Sequence, residues 1–268
     1  MSLPPDAVTL HSGAAAVHLT PGNGGRIGGL TVAGYELLLD GDVHGCFPMV
    51  PWCGRMRDGV LHHAGHSYPF PRDAPPHALH GLGWTRAWTL TAATDTAAEL
   101  SLDLDAPWPF GGTATQRISI DDDGLDLEMT ISAAAVDFPA QAGWHPWFRR
   151  TLRPDAAPVR LDFAPAWQEV RGTDYLPTGE RIAPRPGPWD DCFAMPEGVA
   201  VSLTWPDHLE LRVTSPMRWV VIFDERPEGV CVEPQSGPPN DLNTLPHSVT
   251  RDRPLSVRSR WSWRVLDR

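Results

Sequence analysis

The sequence contains no lysine; all 22 of its Lys+Arg residues are arginine. Without a side-chain amine no Schiff base can form, which excludes lysine-anchored pyridoxal phosphate enzymes and Schiff-base aldolases. A GxxxxGK[ST] phosphate loop is excluded for the same reason. Positive charge is scarce as well: 22 arginines face 33 Asp+Glu, for a net charge of -11. That is the wrong sign for a general nucleic-acid binder, which turns a basic face to phosphate. No apolar run reaches the roughly 20 residues that a membrane-crossing helix needs. The first ten residues, MSLPPDAVTL, have neither a basic start nor an apolar stretch, so no secretory leader is expected. Cysteine is limited to Cys46, Cys53, Cys192 and Cys231, with no CxxC pair. Free thiols and a reducing cytoplasm are the expectation.

A helical signature is missing too. No stretch of a dozen residues carries an apolar stripe at helical spacing, and frequent proline limits long helices. What is present instead is alternation with period 2. Leu125, Leu127, Met129 and Ile131 alternate with polar residues, as do Leu100-Leu102-Leu104 and Leu209-Leu211-Val213. Ile118-Ser-Ile120 runs through three aspartates and Gly124 into the next strand, which reads as a hairpin. Trp219 to Phe223 is wholly apolar, as expected of a strand covered on both faces. The pattern predicts an all-β sandwich or barrel. With no repeat and no compositional break, residues 1–268 are expected to form one domain, and Pro184–Pro188 a loop within it.

Several positions carry candidate chemistry. In Gly229-Val-Cys-Val-Glu233-Pro-Gln235, alternation puts Cys231 and Glu233 on one face, and Pro234 leaves Glu233 at the strand's mouth. A carboxylate among Val, Cys and Pro is partly desolvated, which raises its pKa toward that of a useful base. The competing reading is a solvated strand-end glutamate. In Gly143-Trp144-His145-Pro146-Trp147-Phe148, His145 precedes proline and so is held extended between two indoles. Histidine suits proton transfer near neutrality, and an indole face suits the C–H face of a sugar ring; the alternative is a core histidine bonded to a carbonyl.

His77 and His80 flank a short loop ending in Gly81, and nothing local separates them. Arg55 offers a rigid fork of donors, while Arg57 reads as a surface pair with Asp58 or part of a turn at Asp58-Gly59. Asp190 or Asp191, beside Trp189, could accept sugar hydroxyls or form an Asx turn. No metal site is expected. His62, His63 and His66 lack the glutamate of HExxH, no cupin-type HxH string occurs, and Asp121–Gly124 lacks EF-hand spacing. Gly22–Gly29 reads as a turn rather than a nucleotide loop.

Taken in order, these strings resemble the aldose 1-epimerase (galactose mutarotase-like) family. The matching segments are Gly24-Gly25-Arg26-Ile27, Pro51 to Gly59, Leu79-His80-Gly81, Gly143 to Phe148, Asp190 to Phe193, and Val232 to Pro239. The well-known galactose mutarotases carry Asn-His-Ser-Tyr-Phe where this chain has Trp-His-Pro-Trp-Phe, which keeps the histidine and changes its neighbours. The resemblance implies a large β-sandwich that interconverts sugar anomers without cofactor or metal. It implies Glu233 as base, His145 as acid, and His80, Arg55, Asp190, Trp147 and Gln235 as sugar contacts. Two alternatives stand beside it. One is a hexose-6-phosphate 1-epimerase clamping phosphate with Arg57, Arg86 or Arg149. The other is a sugar-binding domain without catalysis. The expected partner is a small sugar, with no nucleic acid and no membrane.

Overall fold

The structure, a computed structural model, describes residues 7–41 and 43–266. Residues 1–6, on which the expectation of no leader partly rests, lie outside the described residues. The strand pairs assemble into a β-sandwich of one eleven-stranded and one eight-stranded antiparallel sheet, with three two-stranded ribbons. Alternation and structure agree where the alternation was cleanest. Gly124–Ser132 forms a strand, and Ile120 pairs with Leu125 across the aspartate turn. Within that turn the Asp121 amide donates to the Gly124 carbonyl at 2.9 Å. Among the described residues, helix is confined to one four-residue turn, Asp241–Thr244, and two 3-10 turns.

The core is the space between the two sheets. From the eight-stranded sheet it takes Leu127, Ile131, Leu211, Val213 and Trp261; from the eleven-stranded sheet, Val17, Leu30, Phe148, Val220, Val230 and Val232. Each such aliphatic side chain contributes about 1.5–3 kcal/mol by leaving water. Because strand side chains alternate, burying these positions turns their neighbours onto the outer face.

The middle of the large sheet runs Cys46–Met49, Gly143–Arg149, Gly229–Gln235, Trp219–Phe223, Asp190–Ala194. Between the first two, the chain leaves to build four strands of the other sheet, Thr89–Ala93, Ala97–Asp103, Thr113–Ile120 and Gly124–Ser132. Residues about a hundred positions apart thus become neighbours. One expectation is corrected here. Trp219–Phe223 is covered on one face only: Val220 and Ile222 are fully buried, whereas Val221 and Phe223 line an open pocket.

Candidate active site

Strand register aligns one row of side chains across the outer face of the large sheet. Phe47 pairs with His145, Glu233 with Val221, and Val221 with Cys192. The pairs Gly143–Gln235 and Trp147–Cys231 set His145 opposite Glu233 between them. His145 Nε2 lies 3.2 Å from Glu233 Oε1. Both are deeply buried, with His145 6% and Glu233 3% exposed. The imidazole is stacked between Phe47, at 4.6 Å between centroids, and Trp147, at 5.6 Å.

A short ribbon, Arg55–Met56 against Ala78–Leu79, closes one side of the site. His80 follows it with φ of 56°, its amide bonded to the Gly54 carbonyl at 2.8 Å. Gly81 has φ of 75°, and a Cβ there would meet the Val50 carbonyl oxygen at 2.1 Å. Only glycine can pass this point, so the backbone itself aims His80 inward. Its ring stands edge-on to His145 and against Phe47 and Trp84.

The opposite side comes from Trp167–Arg171 and the loop after it. Arg171 bonds the Asp190 carboxylate. The Tyr175 ring, half exposed, is flanked by the guanidinium of Arg55 at 4.6 Å and that of Arg171 at 5.0 Å. Glu169 is buried and accepts from Trp167 Nε1 at 2.8 Å and Arg181 Nε at 3.2 Å. Together these residues enclose a pocket of about 170 Å³.

Burial sets the protonation of the floor. It drives the Glu233 carboxyl well above its ordinary range, with the Asp190 charge pushing the same way and Arg55 opposing. It pulls the His145 imidazole down to about 3, helped by the positive Arg26. His80 is lowered by the same desolvation and by its neighbours His145 and Arg55. The His145–Glu233 pair is therefore a charge-neutral unit that holds one transferable proton. Moving that proton from one partner to the other leaves the net charge of the unit unchanged. The side chains that could hold a metal are also here: His145, Cys231 and Glu233 form the one group of three such donors among the described residues. His62, His63 and His66 sit on a hairpin and form no such group.

The family model for aldose 1-epimerase matches residues 6–258. The chain belongs to the aldose 1-epimerase family. No curated protein matches its sequence. Solved structures share the fold. A candidate aldose 1-epimerase from Escherichia coli K12 superposes with a TM-score of 0.84 at 20% identity, covering 97% of this chain and 99% of that one. A galactose mutarotase-like protein from Clostridium acetobutylicum gives 0.87 at 15% identity over 97% and 95%. Galactose 1-epimerase from Lactobacillus acidophilus NCFM gives 0.80 at 15% identity over 97% and 94%.

Of the residues that the sequence singled out in this family member, Glu233, His145, His80, Arg55 and Asp190 line one pocket, and Asp191 joins them. Trp147 and Gln235 do not. Trp147 backs the His145 ring, and Gln235 is fully buried, with neither side-chain polar atom bonded within the protein. His77 separates cleanly from His80: its Nδ1 accepts from the Asp58 amide at 3.0 Å, and its Nε2 lies 2.9 Å from the Asp174 carbonyl. Arg57 pairs with Asp174 rather than the expected Asp58, because the turn at Asp58 (φ 53°) and Gly59 swings it outward. Arg86 and Arg149 face Asp105 and Asp40, outside the pocket. Sequence reasoning missed Glu169, Arg171, Tyr175 and Phe223. Alternation does group Glu169 with Arg171, but only the pairing with Asp190–Ala194 shows which face they share.

Proposed function

We propose that this family member is a mutarotase, interconverting the α and β anomers of an uncharged aldose. The observation that carries the reading is the buried His145–Glu233 pair, 3.2 Å apart at the floor of a pocket with room for one sugar ring. Anomer exchange needs a proton removed from the C1 hydroxyl while another is delivered to the ring oxygen. The ring opens to the aldehyde, C1–C2 rotates, and reclosure reverses both transfers. Glu233 is the base and His145 the acid. In the carboxylate–imidazolium tautomer the pair is ready to open the ring. Once it has done so, Glu233 carries the proton and His145 is neutral, which is the arrangement that burial favours. Net charge is zero on both sides of the step, so the low-dielectric floor does not oppose it. Positioned acids and bases of this kind contribute about 10²–10⁴-fold each.

His80, Arg55 and Asp190 are the hydroxyl-binding groups, with Asp191 beside them. The charges lining the pocket favour a neutral sugar over a sugar phosphate. Beside the charge-neutral His145–Glu233 pair, three further carboxylates, Glu169, Asp190 and Asp191, stand against two guanidiniums, Arg55 and Arg171, and Asp190 already occupies one of these. Arg57, Arg86 and Arg149, the arginines weighed for a phosphate clamp, pair with carboxylates elsewhere. Polarimetry on freshly dissolved α-D-glucose and α-D-galactose tests the proposal. Wild type should accelerate the rotation change, and Glu233→Gln and His145→Ala should each lose at least a hundredfold in kcat. Glucose 6-phosphate should compete poorly. Saturable sugar binding with no acceleration, or unchanged rates in both variants, would overturn it.

A further inference from the structure

Behind the row that holds His145 and Glu233 lies a third donor of a different kind. Cys231 precedes Glu233 by two residues on the same strand, so the two share a face. It pairs with Trp147 on one side and Phe223 on the other. One donor atom from each of His145, Cys231 and Glu233 falls within 4.8 Å of the other two, and all three residues are buried. The geometry points to a metal site: His145, Cys231 and Glu233 form a nitrogen–sulfur–oxygen cup for a thiophilic divalent cation such as Zn²⁺ or Cd²⁺. Its occupation shuts off proton transfer. The binding half of this inference is independent of the proposed activity; the inhibitory half rests on it.

The donor set is the first argument. Imidazole, thiolate and carboxylate are all ligands of zinc, and the thiolate selects against Mg²⁺ and Ca²⁺. Spacing is the second. Tetrahedral N and O ligands at about 2.0–2.1 Å from zinc lie about 3.3 Å apart. The His145–Glu233 separation of 3.2 Å already matches. The sulfur needs to draw in by no more than about 1.3 Å, which a small side-chain rotation supplies. Charge is the third. A dication with one thiolate and one carboxylate is neutral, so the buried site keeps no net charge. Binding releases the Cys231 and Glu233 protons to solvent and changes no oxidation state.

Access and consequence follow from placement. His145 and Glu233 line the pocket, so the ion enters from there and keeps an open position toward it. His145 Nδ1 has no partner within the protein. A resident metal's histidine normally has that second nitrogen fixed by an acceptor. The cup is therefore an inhibitory site and not the seat of a cofactor. With its nitrogen and carboxylate coordinated, the pair can no longer pass a proton to a sugar.

The test is titration of the metal-free full chain with CdCl₂, read as the ultraviolet cadmium–thiolate charge-transfer band and counted by equilibrium dialysis. One bound ion per chain with the band is expected. Cys231→Ser should lose the band, whereas Cys192→Ser, which alters a buried thiol that lines the pocket, should keep it. ZnCl₂ should then inhibit wild-type mutarotation, with recovery on chelation, and Cys231→Ser should stay active and be at least tenfold less sensitive. If Cys231→Ser does not fold, Glu233→Gln serves in its place and should weaken cadmium binding at least tenfold. No band, a band that survives Cys231→Ser, undiminished cadmium binding by Glu233→Gln, or acceleration by ZnCl₂ would overturn the inference. Metal-free wild type that fails to speed mutarotation would sink the activity alone, because the cadmium band is read without sugar.

Discussion

His80 and His145 stand edge to face, 4.9 Å between ring centroids. Two imidazoles that close do not both become imidazolium, since charging one lowers the pKa of the other. An imidazolium at His145 during turnover thus needs His80 neutral, and the desolvation that lowers His80 keeps it so. His77, three residues earlier, has a different task. It ties the Asp58 amide to the Asp174 carbonyl.

Removing these two histidines should give opposite signatures. His77→Ala removes two part-buried hydrogen bonds, to the Asp58 amide and the Asp174 carbonyl, at about 0.5–1.5 kcal/mol each. It should lower Tm by several degrees while kcat stays within about threefold of wild type. His80→Ala should cut kcat/KM at least tenfold with little change in Tm. Thermal denaturation alongside polarimetry separates the two; a large Tm loss for His80→Ala alone would reverse the assignment.

The buried pair also shapes stability against pH, with a sign for each partner. The Glu233 carboxyl titrates higher folded than unfolded, so it weakens the fold as pH climbs above its ordinary value of 4.5. His145 titrates near 3 folded and near 6.5 unfolded, so it weakens the fold as pH drops from 6.5 toward 3. Each slope approaches about 1.4 kcal/mol per pH unit while only one of the two states is protonated. Glu233→Gln should therefore be as stable as wild type or more so at pH 8, and His145→Gln should resist acid better. Denaturant unfolding between pH 4 and pH 8 checks both. A Glu233→Gln protein that loses stability as pH rises relative to wild type would contradict the first sign.

Arg171 ties the pocket's acidic side to its aromatic lip, through Asp190 and the Tyr175 ring. Arg171→Met should raise KM about tenfold and leave kcat within a few-fold, since it is placed to bind and not to move the proton at C1. Burial already raises Asp190 and Arg171 opposes that rise, so the variant's Asp190 titrates higher still. The KM defect should accordingly grow as pH falls. Initial rates over a range of pH would show it; a loss confined to kcat would place Arg171 in the chemistry instead.

Much of this was legible before folding was considered. The alternation of Leu125 to Ile131 predicted its strand, and the chain's lack of helical stripes predicted an all-β sandwich or barrel. Glu233 was legible because alternation sets it on one face with Cys231; the strand end expected at Pro234 is not found, since the strand continues through Pro234 to Gln235. His145 was legible because Pro146 restricts it. Arg171 and Tyr175 were not, because their chemistry arises from distant partners: Arg171 meets Asp190 across a strand pair, and Tyr175 is held by Arg55 from more than a hundred residues away. Trp147 shows the converse. Its place beside His145 suggested a sugar platform; alternation does set it on the same face, but its ring stacks on the imidazole and does not line the pocket. His77 and His80 were indistinguishable until the hydrogen bonds of one and the φ of the other were known.

The shared register of Phe47, His145, Glu233, Val221 and Cys192 has a consequence for how this chain can change. Exposed turns at the sheet's edges can lengthen freely because they leave the row untouched, whereas the excursion between Met49 and Gly143 carries Arg55, His80 and four strands of the second sheet. A single-residue deletion within Gly229–Gln235 is a different event. It would turn Glu233 into the apolar space between the sheets and present an aliphatic or proline side chain to the pocket. Length variation in this scaffold is therefore harmless or abolishing according to whether it falls in an exposed turn or in a segment that sets the pocket.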